Sequence, residues 1–410
     1  MPEMHVAGAR RSSTAALLGR DFPGVRFDVL AEPGARIRAG DPVLSDRHRP
    51  GVVFTAPVSG RVSVVRRGAR RALQSIQFAV DDTGEPVQFD IPGTMDKEAV
   101  RALLLRSGLW TALRKRPFGH IPNAHAEPMA LLVTATDTEP LAPDPACVID
   151  LYSDYFASGL RVLSLVCDVP LFLCQAHGAV IPAPDTDRIK TVEFSGPHPA
   201  GLPGTHIHAL CPIGFDTGEV WYIGYQDVIA LGHLIDEGTL WLQRVVSLAG
   251  TGVKRPRLLR VTPGAAINDV TSAELADGPV RIISGSVLSG HEAVAGEAYL
   301  GQRHNQITAL MEAPAERPPW WRRRGYLIGR VPDPGPLVPT AEMEQLSPPG
   351  ILPVPMLRAL LAGDVDRARD LGALELIEED LALLTYACPS GSSYGFLLRE
   401  VLEQLCKEAT

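Results

Sequence analysis

The spacing of apolar and polar positions changes character along the chain, and each change predicts a different structure. From residue 21 to 90, short apolar runs are separated by turn signals at Glu32–Gly34, Ala39–Pro42 and Ser59–Gly60, which predicts the short strands of a small β module. From about 96 to 255, helical and strand-like runs alternate. Glu98 to Leu113 is helix-like, Ala130 to Ala135 and Val169 to Cys174 are short apolar strands, and Val220 to Leu234 opens as strand and turns helical. That alternation predicts an α/β layer fold.

Residues 256 to 312 predict a second β-containing unit, with strands at Leu258–Val261 and Arg281–Ile283, a short helix at Ser272–Ala276 and a turn-rich connector at Gly285–Gly290. Between Pro314 and Pro349 proline dominates, the mark of a linker or long loop. Helical spacing returns at Met356–Leu361, Asp364–Arg369, Glu378–Tyr386 and Phe396–Leu405, with Asp364 and Glu378 suited to acidic first turns. The expected domains are therefore 1–95, 96–255 and 256–313, a linker at 314–349, and a helical domain at 350–410.

One stretch fits neither period. Ser195 to His208 sets Gly196, Gly201, Gly204, Pro197, Pro199 and Pro203 around His198, His206 and His208, a density of breakers that predicts a shaped loop. Its imidazoles are candidate donors, proton carriers or ligands, or they bond backbone carbonyls inside a rigid connector. On a following strand His206 and His208 would share one face, but no Cys or carboxylate stands at ligand spacing, so a metal site is disfavoured.

Composition narrows the function classes. With 410 residues, 45% hydrophobic and 21% charged, the chain has the balance of several globular domains. A net charge of -8 disfavours general nucleic-acid binding and leaves anionic contacts to local basic clusters. One such cluster, Arg114, Lys115 and Arg116, could meet a phosphate, but with no glycine-rich turn beside it a solvated basic face is the expectation. Another, Trp320, Trp321, Arg322, Arg323 and Arg324, suits a membrane interface or a partner protein, or is an exposed loop.

The six cysteines are scattered without a CxxC pair, which predicts reduced thiols rather than a zinc or iron-sulfur site. No run of about 18 apolar residues and no leader-like start occur, so a soluble cytoplasmic chain able to dock on a membrane protein is expected.

Longer motifs carry a resemblance. Val29–Leu44 followed by Phe54–Val62 resembles the half-motifs of biotinyl and lipoyl carrier domains. Carriers need a lysine at a hairpin tip, and the first lysine here is Lys97, so a barrel-sandwich hybrid used for structure or docking is expected.

To this are added Gly51–Gly60, Ser107–Ala112 with Arg116–Phe118, Ser195–His208, Tyr225–Ile229, Arg244–Gly250, Ser284–Gly290, Tyr299–Gly301 with His304–Gln306, and Leu374–Leu376 with Glu379–Leu383. From about Ala15 to Glu408 the chain resembles the NqrA family, the A subunits of the bacterial sodium-translocating NADH:quinone oxidoreductases.

That resemblance implies a barrel-sandwich hybrid, a Rossmann-like α/β domain, a β-grasp domain of SLBB type and a C-terminal helical domain. It also implies kinship with the flavin subunit of respiratory complex I and with the C subunit of Rnf complexes. Those relatives cradle FMN on a glycine-rich loop, and the equivalent Gly108–Phe118 carries Trp110 and Leu113 where glycines would be needed. Their iron-sulfur clusters need grouped cysteines, and the helical segment offers Cys388 and a distant Cys406.

The resemblance therefore implies a chain without a redox centre, with FMN, FAD, riboflavin and iron-sulfur centres in partner subunits. It implies a cytoplasmic peripheral subunit that assembles chiefly against the membrane-embedded B subunit and shapes the site for a quinone such as ubiquinone. Candidate quinone or partner contacts are His198, His206, His208, Tyr225, Gln226, Asp227, His304, Asn305 and Gln306. No catalytic, cofactor-binding or metal-ligating residue is assigned.

Two alternatives stand beside this reading. One is an adaptor of another Rnf-like complex, suggested by a 314–349 segment shorter than the family's usual one. The other is an independent flavin- or nucleotide-binding oxidoreductase, against which the filled loop and the missing cysteines speak.

Overall fold

Short strands at the start of the chain follow its turn signals. The structure, a computed structural model, describes residues 2–81, 83–214, 217–312 and 335–409, so Trp320, Trp321, Arg322, Arg323 and Arg324 lie outside the described residues. The first strands are β1 (Glu3–Arg10), β2 (Thr14–Leu18), β3 (Phe27–Val29), β4 (Arg36–Ile37), β5 (Pro42–Asp46), β6 (Val53–Thr55), β7 (Gly60–Arg67) and β8 (Leu73–Val80). Two antiparallel sheets, ordered β2-β8-β7-β4 and β3-β5-β6, close over Leu17, Leu44, Phe54, Val62, Ile76 and Phe78. Phe54 meets Phe22 edge-on at 4.7 Å, a preferred aromatic geometry. The β5–β6 tip carries Arg47, His48 and Arg49 and no lysine.

The α/β layer begins with α1 (Lys97–Ser107) and β9 (Arg114–Arg116). Asp96 caps α1 by accepting from Ala99 N at 2.8 Å, and Gly108, at φ 79°, ends it. The helix thus stops short of the predicted Leu113. A 3-10 turn over Leu109–Ala112 then tucks Trp110 into the core, edge-on to Trp221 at 5.6 Å.

Next come β10 (Ala130–Ala135), α2 (Pro145–Asp150), α3 (Ser153–Val166), β11 (Leu171–Ala176), β12 (Ile189–Phe194), α4 (Pro203–Leu210), β13 (Val220–Gly224) and α5 (Tyr225–Glu237). Their sheet runs β12-β11-β10-β13-β9, parallel except for β9. Every residue of β10 is buried, since Leu131 and Val133 pack toward α3 and α5 while Ala130 and Leu132 face the opposite core. Burial on both faces explains its unbroken apolar run. Helices α3 and α5 meet backbone to backbone, because a β carbon at Gly232 would stand 1.7 Å from Tyr155 O.

The Ser195–His208 segment is not all loop. From Pro203 it is the helix α4, with proline in the first turn, where its missing N–H has no partner to lose. His206 and His208 therefore point roughly 200° apart on a helix and do not share the face of a strand.

The third sheet is built from β14 (Arg244–Ala249), β15 (Arg257–Val261), α6 (Ile267–Thr271), β16 (Val280–Ser284), β17 (His291–Glu292) and β18 (Gln306–Met311). Its order is β1-β15-β14-β18-β16-β17. Strand β1, from the first expected domain, and β14, from the second, both pair with β15, so the backbone of β15 is satisfied on both edges. The short helix lies at Ile267–Thr271, upstream of the expected Ser272–Ala276, and buries Ile267 and Val270.

The chain ends in α7 (Ala341–Leu346), α8 (Pro353–Ala362), α9 (Val365–Asp370), α10 (Ala382–Ala387) and α11 (Tyr394–Glu408). The α7 helix falls inside the expected linker and buries Met343. Met356, Leu360, Leu381, Leu398 and Leu402 form one core with Ala130, Leu132 and Tyr222, so the helical unit covers the second face of the parallel sheet.

The basic segment at β9 is not the solvated face expected of it. Arg116 is fully buried and donates to Asp380 Oδ2 at 3.0 Å, Lys115 pairs with Glu219, and Arg114 donates to the carbonyls of Asp21 at 2.7 Å and Gly119 at 3.1 Å.

Candidate functional site

In the parallel sheet the chain passes from β10 to β11 and β12 on one side, then returns to β13 on the other. A crevice opens beyond the carboxyl ends of two strands where the order reverses, and in α/β sheets ligands bind there. A cavity of about 410 Å³ occupies that position. Thr136, Asp137 and Glu139 line it after β10, and Gly224 at the end of β13 lines it with Tyr225, Gln226 and Asp227 beyond. The start of α4, the Gly285–Gly290 connector, the Arg303–Gln306 segment, Arg20, Asp21, Arg114 and Glu379 also line it.

Six of the nine residues singled out as contacts meet here: Tyr225, Gln226, Asp227, His304, Asn305 and Gln306. Gln226 is held like a strand extension, accepting from Val245 N at 2.9 Å and donating to Val245 O at 2.7 Å. Its amide also donates to Asn305 Oδ1 at 3.1 Å. Arg244 fastens the same corner, reaching Asn305 Oδ1 at 3.1 Å, Gln302 O at 2.6 Å and Asp227 Oδ1 at 3.3 Å. Gln306 donates to Pro140 O at 2.9 Å, tying the β10 loop to the third sheet.

Asp227 and His304 line the same cavity without bonding each other. His304 Nδ1 lies 2.8 Å from Ser284 Oγ, and burial, reinforced by His291, holds the imidazole well below its ordinary range. Burial likewise lifts the Tyr225 hydroxyl and raises the Asp227 carboxyl, the latter against the pull of Arg244.

The other three histidines serve elsewhere. His198 Nδ1 is 3.2 Å from Thr138 Oγ1, and burial lowers its titration. His206 Nε2 donates to Ala200 O at 3.0 Å, its ring stacks 4.2 Å from Phe194, and burial brings it down to about 4. His208 Nδ1 pairs with Glu375 at 2.8 Å, joining α4 to the helical unit.

Sequence reasoning missed the carboxyl groups. Burial, reinforced by Glu139 and Glu379, raises Asp137 to about 7, and burial raises Asp21 to about 6. Burial followed by the Asp380 carboxylate pushes Glu379 up as well. Asp137 stands just past an apolar strand, and the switch-point rule applied to that strand end would have found it.

Chemically, the cavity offers neutral imidazoles and carboxyl groups that hold protons near neutrality and so donate hydrogen bonds. The first turn of α5 opens toward it, but Asp227 occupies that turn with its own negative charge. Among the described residues no group of three or more His, Cys, Asp or Glu side chains could hold a metal ion.

Comparison with known proteins places the chain. The family model of the NqrA N-terminal barrel-sandwich hybrid domain matches residues 1–81, that of the NqrA second alpha/beta domain 95–240, and the SLBB-type NQRA C-terminal domain 245–295. A protein of Neisseria meningitidis, named as the A subunit of a Na(+)-translocating NADH-quinone reductase, is 42% identical over 99% of this chain and 96% of its own length. The chain belongs to the NqrA family.

NqrA relatives from Pasteurella multocida and Pseudomonas aeruginosa, at 41% and 40% identity, align with the same 99% of this chain and 96% of their own lengths. A solved NAD+-reducing NiFe hydrogenase chain is 14% identical with a TM-score of 0.45, covering 77% of this chain. This chain spans 62% of the hydrogenase chain's length, and the likeness is too distant to bear on function. Among the described residues of this NqrA family member, no helix is long and apolar enough to cross a membrane.

Proposed function

We propose that the chain is a cytoplasmic, peripheral subunit of a sodium-translocating NADH:quinone reductase that holds no redox group of its own, assembles against the membrane-embedded B subunit and helps to shape the quinone site. The observation that carries membership of the complex is the 42% identity to an NqrA relative extending over 99% of the chain.

Absence of flavin is supported by the filled loop. Trp110 is fully buried against Trp221 and donates to Pro122 O at 3.0 Å, which leaves no glycine cradle there for a phosphate. At the switch point, Asp227 occupies the first turn of α5, the place where an anionic group would otherwise meet free N–H groups. FMN, FAD, riboflavin and iron-sulfur centres belong, in this reading, to partner subunits.

A quinone head group is neutral and presents two carbonyl acceptors. Protonated Asp137 and Glu379 and the amide of Asn305 are the donors such a group would take, and the cavity has the volume of a small-molecule site. No residue here is assigned a bond-making role, since electrons would pass between centres held elsewhere.

Purification of the complex tests the reading. The isolated chain is expected to carry no flavin absorbance. In the complex, Asp137→Ala with Glu379→Leu is expected to lower quinone reduction while NADH oxidation by an artificial acceptor at the first flavin is unchanged. Stoichiometric flavin on the chain, or its absence from the purified complex, would overturn the proposal.

A further inference from the structure

Strands β7 and β8 form an antiparallel hairpin whose outermost pairs are Arg66 with Ser75 and Arg67 with Leu73. The turn is tight: Gly68 N donates to Ala72 O at 2.8 Å, Arg71 N to Gly68 O at 3.2 Å, and Arg67 Nη1 to Arg71 O at 3.1 Å. Arg70 and Arg71 sit at φ 52° and 62°, a backbone region where glycine or asparagine folds more easily. Four exposed arginines, Arg66, Arg67, Arg70 and Arg71, thus crowd one turn of a chain whose net charge is -8.

Among the described residues none of the four is held in an ion pair. Two nearby acids are already engaged, with Asp28 of β3 bridged to Arg47 and Glu297 to Arg20 at 3.0 Å. Asp28 feels Arg67 at longer range, but its hydrogen bonds go to Arg47. Such a cluster repels itself unless it meets an external anion.

The guanidinium fork matches phosphate oxygens two at a time. Protein hot spots are built instead around a buried aromatic or aliphatic anchor, and residues 66–72 contain only Arg, Gly and Ala. A sheet of phosphates fits a turn of this composition better than a pocket does. We infer that the Arg66–Arg71 hairpin tip is a docking surface for the anionic phosphate head groups of a lipid membrane. The inference rests on the reading of the chain as a peripheral member of a membrane-bound reductase, which brings the tip near lipid.

Sedimentation of the full chain with phosphatidylcholine vesicles, with and without phosphatidylglycerol, tests this. Binding is expected only with phosphatidylglycerol and is expected to weaken as salt rises. Each arginine near an anionic surface contributes about fivefold, the equivalent of about 1 kcal/mol, so R66Q/R67Q/R70Q/R71Q should lose on the order of several hundredfold. The variant R358Q/K407Q, which removes exposed charges elsewhere, should bind as wild type does.

Equal vesicle binding by the quadruple variant would overturn the inference. So would a wild-type chain that ignores phosphatidylglycerol while the quadruple variant alone fails to co-purify with the other subunits in detergent, since the tip would then dock on an acidic protein. A wild-type chain that joins no complex sinks the functional reading instead, and the vesicle assay still reads the tip.

Discussion

Arg116 and Asp380, separated by most of the chain, meet inside the protein with Nη2 donating to Oδ2 at 3.0 Å. The arginine is fully buried, its guanidinium lies 5.3 Å from the Tyr222 ring, and Asp380 also accepts from Ile377 N at 2.7 Å. This pair fastens the last strand of the parallel sheet to the C-terminal helical unit.

Arg116→Ala leaves a buried carboxylate without its cation, and a loss of about 3–5 kcal/mol in urea unfolding is expected. Arg116→Met with Asp380→Asn should recover much of that loss, because the amide oxygen still accepts from Ile377 N. Additive losses in the double variant would show that the two side chains act independently.

Gln226 completes a ladder that β18 does not reach, since β18 pairs with β14 only at Ser247–Ala249. Gln226→Leu strands the N–H and C=O of Val245 in a buried site and should cost about 2–4 kcal/mol by thermal unfolding. Gln226→Glu keeps the acceptor but not the donor, so Val245 N retains its partner while Val245 O loses its own. A neutral outcome for Gln226→Leu would mean that water replaces the amide.

Gly204 lies where α4 passes the helical unit, and a β carbon there would stand 2.2 Å from Asp380 Oδ1. Gly204→Ala must push the two units apart, at about 1–3 kcal/mol. The expected signature is a lower melting temperature together with faster proteolysis between α9 and α11. An unchanged melt would show that Asp380 yields without loss.

Much of this architecture was legible because single elements announce themselves. The strand at Ala130–Ala135 reads off its apolar run, and the strand-to-helix change at Tyr225 reads off its change of period. Pairing across the chain did not. Nothing in Glu3–Arg10 or Arg244–Ala249 says which sheet each will join, because the partners of a strand are chosen by its tertiary neighbours. Arg114–Arg116 misled for the same reason: three adjacent cations look solvated until Asp380 and Glu219 arrive from elsewhere.

The Tyr225–Asp227 and His304–Gln306 motifs were found as motifs, but their meeting at a switch point needed the strand order. The glycines and prolines of Ser195–His208 hid a helix, since Pro203 is harmless in a first turn.

The carboxyl group of Asp137 gives the cavity a signature in pH. Its folded-state titration lies at about 7, raised by burial from 3.8, with Glu139 and Glu379 adding to the shift and the Glu139 amide opposing it. Between those two values the folded chain keeps a proton that the unfolded chain has released. Stability from this group is therefore complete at low pH, falls as pH rises toward 7, and levels off above it. One such proton contributes a slope of up to about 1.4 kcal/mol per pH unit.

Asp137→Asn preserves the bond from Glu139 N and removes the titration. Urea midpoints measured from pH 5 to pH 8 should therefore decline less steeply in the variant than in wild type, with the two curves running parallel above neutrality. Identical slopes would place the Asp137 carboxyl in contact with water and remove it from the set of hydrogen-bond donors facing the cavity.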